Sequence, residues 1–265
     1  MTPNKKFIFI AGPCAIESED NVMYMASTLK KIVSNYTELD FYFKASWDKA
    51  NRTKATNYRG PGLEEGLRIL QRAKNELNVK IVTDIHESWQ AAPVAEVVDM
   101  LQIPAFLSRQ TDMLQAAAAT GKMVNIKKPQ FSSPEEMKNM VGKMEYYGNR
   151  NFMLCERGNC FGYNNLVVDM TGLVRMSKYG YPVIFDATHS VQISGGGFNY
   201  GNSGKSEYVP YLAKAAMATG VLSGLFMEVH NAPEQALCDG SCMLRLEELP
   251  PLLDQLMKIR EICCC

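Results

Sequence analysis

The sequence predicts a single α/β domain over residues 1–265, a (β/α)8 TIM barrel, on three observations. Eight short β-rich runs recur, at residues 7–10, 41–44, 80–84, 100–103, 124–127, 152–155, 183–186 and 225–229. Helical periodicity fills intervals between them, as at 21–33, 62–76, 134–147 and 208–219. Polar residues gather just after every run, and in such barrels chemistry sits at the C-terminal strand ends. Eight strand and helix units in roughly 250 residues match the usual size of this barrel. A doubly wound open sheet is the rival, and the count of eight favours closure.

Composition narrows the function classes. The chain is 46% apolar and 21% charged, in the range of soluble globular proteins. Net charge is zero, so no global basic field attracts nucleic acid or an anionic membrane. No apolar run approaches the ~20 residues that span a bilayer. Only a short apolar stretch separates Met1-Thr2-Pro3-Asn4-Lys5-Lys6 from Gly12-Pro13, too short for a secretory leader, so a cytoplasmic location is expected. Eight cysteines without a CxxC pair then point to thiols rather than a disulfide framework. Cys155 with Cys160, or Cys238 with Cys242, makes a poor half of a zinc site, with no histidine at finger spacing. Ile262 rules out a prenylation box at the Cys263-Cys264-Cys265 end, which reads as a frayed tail.

Taken in order, the first strand delivers Gly12-Pro13-Cys14-Ala15-Ile16-Glu17-Ser18. The second delivers Lys44-Ala45-Ser46-Trp47-Asp48-Lys49-Ala50-Asn51-Arg52-Thr53, a basic cluster that an anion would neutralise, with a guanidinium fork shaped for phosphate. Thr83-Asp84-Ile85-His86-Glu87 ends the third, and Gln102, then Arg109-Gln110-Thr111-Asp112, follows the fourth. Asn125-Ile126-Lys127-Lys128-Pro129-Gln130 ends the fifth, before a helix capped by Ser133 with Pro134, Glu135 and Glu136 in its first turn. The sixth gives Cys155-Glu156-Arg157-Gly158, the seventh Asp186-Ala187-Thr188-His189-Ser190, and the eighth Glu228-Val229-His230 and then Asp239-Gly240. A last helix over 246–262 closes the chain.

These strand ends predict a site lined by Lys44, Lys49, Arg52, Lys127 and Arg157, hence more than one anionic ligand. Cys14, His189, Glu228 and Asp239 come from the first, seventh and eighth strand ends, neighbours once a barrel closes. One thiolate, one imidazole and two carboxylates suit a divalent transition metal. His86 and His230 are alternative ligands. Gly201-Asn202-Ser203-Gly204-Lys205-Ser206 is not a P-loop, because Asn199 stands where that motif needs glycine. The glycine-rich stretch 194–206 reads instead as a lid.

The blocks Ile10-Ala11-Gly12-Pro13-Cys14-Ala15-Ile16-Glu17-Ser18, Lys49-Ala50-Asn51-Arg52, Tyr58-Arg59-Gly60-Pro61-Gly62-Leu63-Glu64, Gln102-Ile103-Pro104-Ala105-Phe106-Leu107 and Phe161-Gly162-Tyr163-Asn164-Asn165-Leu166-Val167 occur in order across nearly the whole chain. In them the sequence resembles the 3-deoxy-D-manno-octulosonate-8-phosphate synthases, which condense phosphoenolpyruvate with arabinose 5-phosphate. The resemblance implies a catalytic group of Lys44, Lys49, Asn51, Asp84, Lys127 and His189, and a substrate-binding group of Ser46, Arg52, Thr53, Gln102 and Arg157. Within these, Lys44, Lys49, Gln102, Lys127 and Arg157 would hold phosphoenolpyruvate, and Asn51, Arg52 and Thr53 the pentose phosphate. It also implies a homotetramer with a phosphate site completed across a subunit boundary, and a product used for lipopolysaccharide or a related acidic polysaccharide. Cys14 stands where the metal-free branch has asparagine. The metal-dependent branch is therefore implied, with Cys14, His189, Glu228 and Asp239 holding an ion of the Mn, Fe, Zn or Co type.

Three features depart from the family pattern. Thr53-Lys54 replaces Ser-Ser, Asn202-Ser203-Gly204 replaces Ser-Gly-Gly in the lid, and Ser206 stands at a common arginine. Cys238-Asp239-Gly240 locally resembles the metal-free branch. Three other functions are compatible with the residues. A 3-deoxy-D-arabino-heptulosonate-7-phosphate synthase would use a four-carbon acceptor, but Ala50-Asn51 replaces the proline of its Lys-Pro-Arg-Thr loop. A Schiff-base aldolase would use Lys127 and be trapped by borohydride. A binding-only barrel would take phosphoenolpyruvate without turnover.

Overall fold

The computed structural model describes residues 6–160, 165–193 and 204–263, and in them eight parallel strands close into a barrel. The strands are β1 (Phe7–Gly12), β2 (Leu39–Lys44), β3 (Lys80–Asp84), β4 (Met100–Ile103), β5 (Met123–Lys127), β6 (Phe152–Glu156), β7 (Val183–Asp186) and β8 (Gly224–His230). They pair in chain order, and β8 returns to β1 with Gly12 opposite Glu228. The helices are α1 (Glu19–Val33), α2 (Leu63–Leu77), α3 (Ala91–Val97), α4 (Thr111–Ala119), α5 (Met137–Tyr146), α6 (Met170–Ser177), α7 (Val209–Met217) and α8 (Leu249–Cys263). The expected TIM barrel is the observed fold.

The sequence places every barrel strand, three of them with the same bounds, and differs at ends where hydrogen bonding rather than apolar content sets the limit. The clearest correction is the helix expected from Pro134. Backbone bonds over that turn run i to i+3, such as Met137 N–H to Pro134 O at 3.3 Å, so regular α-helix starts at Met137. Ser133 still caps the turn: Glu136 N–H donates to its Oγ at 3.3 Å, and Ser133 N–H donates to Glu136 Oε2 at 2.9 Å.

Strand side chains alternate, so each strand carries two cores. Phe9, Phe43, Ile81, Leu101, Leu154 and Phe185 face the helices. Ile8, Ile10, Tyr42, Val82, Met100, Met153, Cys155, Ile184 and Phe226 form a separate apolar cluster inside the barrel. That inner plug seals the lower barrel and leaves the C-terminal mouth for polar groups.

Gly12 ends β1 where it presses on β2. A Cβ on Gly12 would lie 2.0 Å from the Lys44 carbonyl oxygen, in a backbone conformation at φ +157°. Gly12→Ala is therefore expected to destabilise the fold by about 2–4 kcal/mol through overpacking. Urea unfolding checks this, and an unchanged midpoint would refute the close packing at that seam.

Candidate active site and metal-ligand cluster

The site is the next layer of the inner register. Two residues beyond an inner apolar side chain, five strands present a polar one: Lys44 after Tyr42, Asp84 after Val82, Gln102 after Met100, Asp186 after Ile184 and Glu228 after Phe226. Lateral pairing sets Asp84, Gln102 and Asn125 at one level, while the stagger of the barrel places Lys44 opposite Val82 and Asp186 opposite Phe226, beside the apolar plug. Above them opens a cavity of about 400 Å³, lined by Lys49, Arg52, Lys127, Arg157 and the acids Asp84, Asp186, Glu228 and Asp239.

Lys44, Lys49 and Lys127 each meet an acid, so most of the buried charge in the layer is compensated. Lys44 Nζ donates to Glu228 Oε1 at 2.5 Å and to Cys14 O at 2.7 Å. Lys49 Nζ lies 3.8 Å from Asp84 and 3.9 Å from Glu228. Lys127 donates to Asp186 Oδ2 while its ammonium sits 3.3 Å above the Phe226 ring centroid. Asp186 also accepts from His189 N–H at 2.8 Å and holds His189 Nδ1 at 2.7 Å. Ser46 Oγ donates to Asp84 at 2.5 Å, Gln102 donates to the other Asp84 oxygen, and Asn125 donates to Gln102 at 2.8 Å.

Burial opposes the charge on Asp84, but Lys49 and Lys44 outweigh it and hold the carboxyl well below its ordinary range. Glu228 is likewise held down to about 2, burial being overcome by Lys44 and His189. Burial opposes the Lys49 ammonium, and Cys14, Glu228 and Asp84 reverse this, raising it well above its ordinary value. Burial pushes Arg157 down. Its Nη2 donates to Gln192 at 2.8 Å, while Nη1 is buried without a partner among the described residues.

Two overlapping groups have metal-ligand chemistry: Cys14, Cys238 and Asp239, and His189, Glu228 and Asp239, with donor atoms in each within 4.8 Å of one another. Asp239 joins them, held at φ 49°, a left-handed conformation unusual for a non-glycine residue. Asp186 takes the Nδ1 side of His189, which leaves Nε2 directed at Glu228, 3.6 Å away. Glu228 Oε2 is buried with no hydrogen-bond partner among the described residues. A buried carboxylate oxygen left open beside an oriented imidazole and a thiol fits a divalent cation.

The sequence profile of the DAHP synthetase I family matches residues 2–263. The chain belongs to the DAHP synthetase I family. Proteins named 2-dehydro-3-deoxyphosphooctonate aldolase resemble it closely. That of Cyanothece sp. is 55% identical over 254 residues, covering 96% of this chain and 92% of the relative. That of Synechococcus sp. is 56% identical, covering 94% and 87%, and that of Rickettsia bellii 53%, covering 97% and 92%.

In this member of the DAHP synthetase I family, the expected site residues converge on one barrel mouth, with three adjustments. Lys44 and Ser46 lie beneath the cavity lining rather than in it, because Lys44 neutralises Glu228 and Ser46 bonds Asp84. Cys14 also lies below the lining, 2.8 Å from Cys238 and 3.5 Å from Asp239. His86 and His230 belong to neither donor group: His86 packs edge-on against Trp47, and His230 Nε2 faces Glu17 at 3.4 Å. Sequence reasoning gave no role to Asp186 or Cys238. The Asp186-x-x-His189 spacing is the signal for the first, since it lets a strand-end acid reach the imidazole one turn later. Residues 161–164 of a matched block, 194–203 of the glycine-rich stretch, and Cys264 and Cys265 lie outside the described residues.

Proposed function

We propose that this chain condenses phosphoenolpyruvate with D-arabinose 5-phosphate and water, giving 3-deoxy-D-manno-octulosonate 8-phosphate and phosphate. The observation that carries it is the ring of cations, Lys49, Arg52, Lys127 and Arg157, around one cavity in a chain more than half identical to 2-dehydro-3-deoxyphosphooctonate aldolases. Arg157, with one guanidinium nitrogen unpartnered among the described residues, and Lys127 take the carboxylate and phosphate of phosphoenolpyruvate. Asn51, Arg52 and Thr53 take the pentose phosphate at the outer mouth, where Asn51 and Thr53 are exposed and open to a neighbouring subunit of a homotetramer.

Bond formation joins C3 of phosphoenolpyruvate to the sugar aldehyde carbon. Water adds at C2, and phosphate leaves by C–O cleavage. The cations fix two phosphates and a carboxylate in near-attack geometry and offset charge as it develops. Lys49, between Asp84 and Glu228, is placed to give its proton to the aldehyde oxygen as that oxygen becomes an alkoxide. Lys44 and Ser46 act as positioning residues through Glu228 and Asp84. Cys14, His189, Glu228 and Asp239 would hold a divalent ion of the Mn, Fe, Zn or Co type, which when bound orients the aldehyde and lowers the pKa of a water. Among the described residues no helix is long and apolar enough to cross a membrane, and charged soluble substrates agree with a cytoplasmic site of action.

The test is phosphate release from phosphoenolpyruvate with arabinose 5-phosphate or erythrose 4-phosphate. Release with the pentose alone is expected. Release with the tetrose alone moves the assignment to the heptulosonate synthases, and binding of phosphoenolpyruvate without release with either sugar makes the chain a binding protein. Arg52→Ala removes a charged contact worth about 1.5–3 kcal/mol, so KM for arabinose 5-phosphate should rise roughly 10–100-fold. The KM for phosphoenolpyruvate should hardly move, and equal effects on both would sink the phosphate role of Arg52.

A further inference from the structure

The cysteine beside Asp239 is unused by the four-ligand reading. Cys238 is 2% exposed and lies against Cys14, which is 1% exposed, with the two Sγ atoms 2.8 Å apart. Both thiols and an Asp239 carboxylate oxygen fall within one 4.8 Å group, and Asp239 carries that group over to His189 and Glu228. The left-handed turn at Asp239 lets consecutive side chains, Cys238 and Asp239, address the same point. Arg52 Nη1 lies 2.6 Å from Cys238 Sγ and 3.5 Å from Asp239, a guanidinium placed to offset the charge of a thiolate. Independently, Glu228 Oε2 is buried on the same centre with no hydrogen-bond partner among the described residues.

We propose that Cys238 is a second thiolate donor to the metal. The site in this chain is then a two-sulfur site, drawing on Cys14 and Cys238 together with the carboxylate and imidazole donors. Its selectivity follows from donor chemistry. Thiolates favour zinc and other thiophilic ions, while oxygen donors favour manganese and magnesium. Two sulfurs shift this member of the family towards the zinc end of the Mn, Fe, Zn and Co set. The Cys238-Asp239-Gly240 run, which locally resembles a metal-free pattern, becomes part of the metal centre. This inference rests on the metal reading above and goes beyond it in ligand number and metal class.

The experiment uses the full chain, stripped of metal, kept reduced with a phosphine, and titrated with Co(II). The readout is the thiolate-to-cobalt charge-transfer absorbance per bound cobalt, in the wild type, Cys238→Ser, Cys14→Ser and the double variant. The wild type should show twice the intensity of either single variant, and the double variant none. Zinc preference over manganese, measured by competition, should fall by about tenfold or more in Cys238→Ser. Full intensity in Cys238→Ser overturns the second thiolate while leaving the metal site standing. Absence of cobalt uptake by the wild type overturns both. X-ray absorption of the cobalt-loaded wild type counts sulfurs without any substitution: two support the proposal, and one refutes it even if the variants fail to fold.

Discussion

Lys127→Met is expected to lose activity and stability together, by separable amounts. Lys127 is the strand-end cation that compensates Asp186, fully buried at the barrel mouth, and it also faces the cavity. Removing it deletes a preorganised donor to the anionic substrate, which should lower kcat/KM for phosphoenolpyruvate ~10²–10³-fold. It also strands Asp186 without its ammonium, and breaking a buried pair on one side costs about 3–5 kcal/mol. Asp186→Asn added to Lys127→Met removes the stranded charge. The double variant should recover much of the unfolding free energy and none of the activity. If activity returned with stability, Lys127 would be a structural partner of Asp186 and nothing more. Borohydride trapping of Lys127 with substrate would point instead to Schiff-base chemistry.

Chelation should have the other large effect. With Cys14, His189, Glu228 and Asp239 as donors, prolonged dialysis against a strong chelator should reduce phosphate release ~10²-fold or more. An ion at such a site supplies several kcal/mol of stabilisation, each 1.36 kcal/mol being about tenfold. Adding back a divalent transition metal should restore turnover. Cys14→Asn should bind the ion more weakly, and retained full activity with no metal bound would show that the ion is not essential. Thermal melting before and after chelation separates loss of the ion from loss of the fold. The core should survive, because the inner apolar plug of Ile10, Val82, Met100, Ile184 and Phe226 does not depend on the mouth.

The substitutions at the mouth are more than local charge deletions because the layer is linked. Glu228 accepts from Lys44, lies near Lys49 and faces His189; Asp186 serves both Lys127 and His189; Asp84 gathers Ser46, Gln102 and Lys49. Residues sharing partners this way are expected to give non-additive effects in double variants.

Much of this was legible in one dimension. Strand period, helix period and the return of polar residues after each β-run determine the barrel, because a side chain's face in a strand depends only on parity. The same parity marks the chemistry: Lys44, Asp84, Gln102, Asp186 and Glu228 each stand two residues beyond an apolar residue of the inner plug. The strand ends suggest the candidate set Cys14, His189, Glu228 and Asp239, and the matched blocks imply the substrate class. Closure decided the rest. Pairing of β1 with β8 brings Gly12 opposite Glu228, and so Cys14 to Cys238, 224 residues apart in the chain. It also turned Lys44 and Ser46 from lining into support, since a buried ammonium or hydroxyl must satisfy the nearest acid before it can face a ligand. Residue types and spacing are properties of the sequence. Which buried charge meets which is a property of the closed barrel, because Coulomb and hydrogen-bond energies depend on distances that no sequence separation sets.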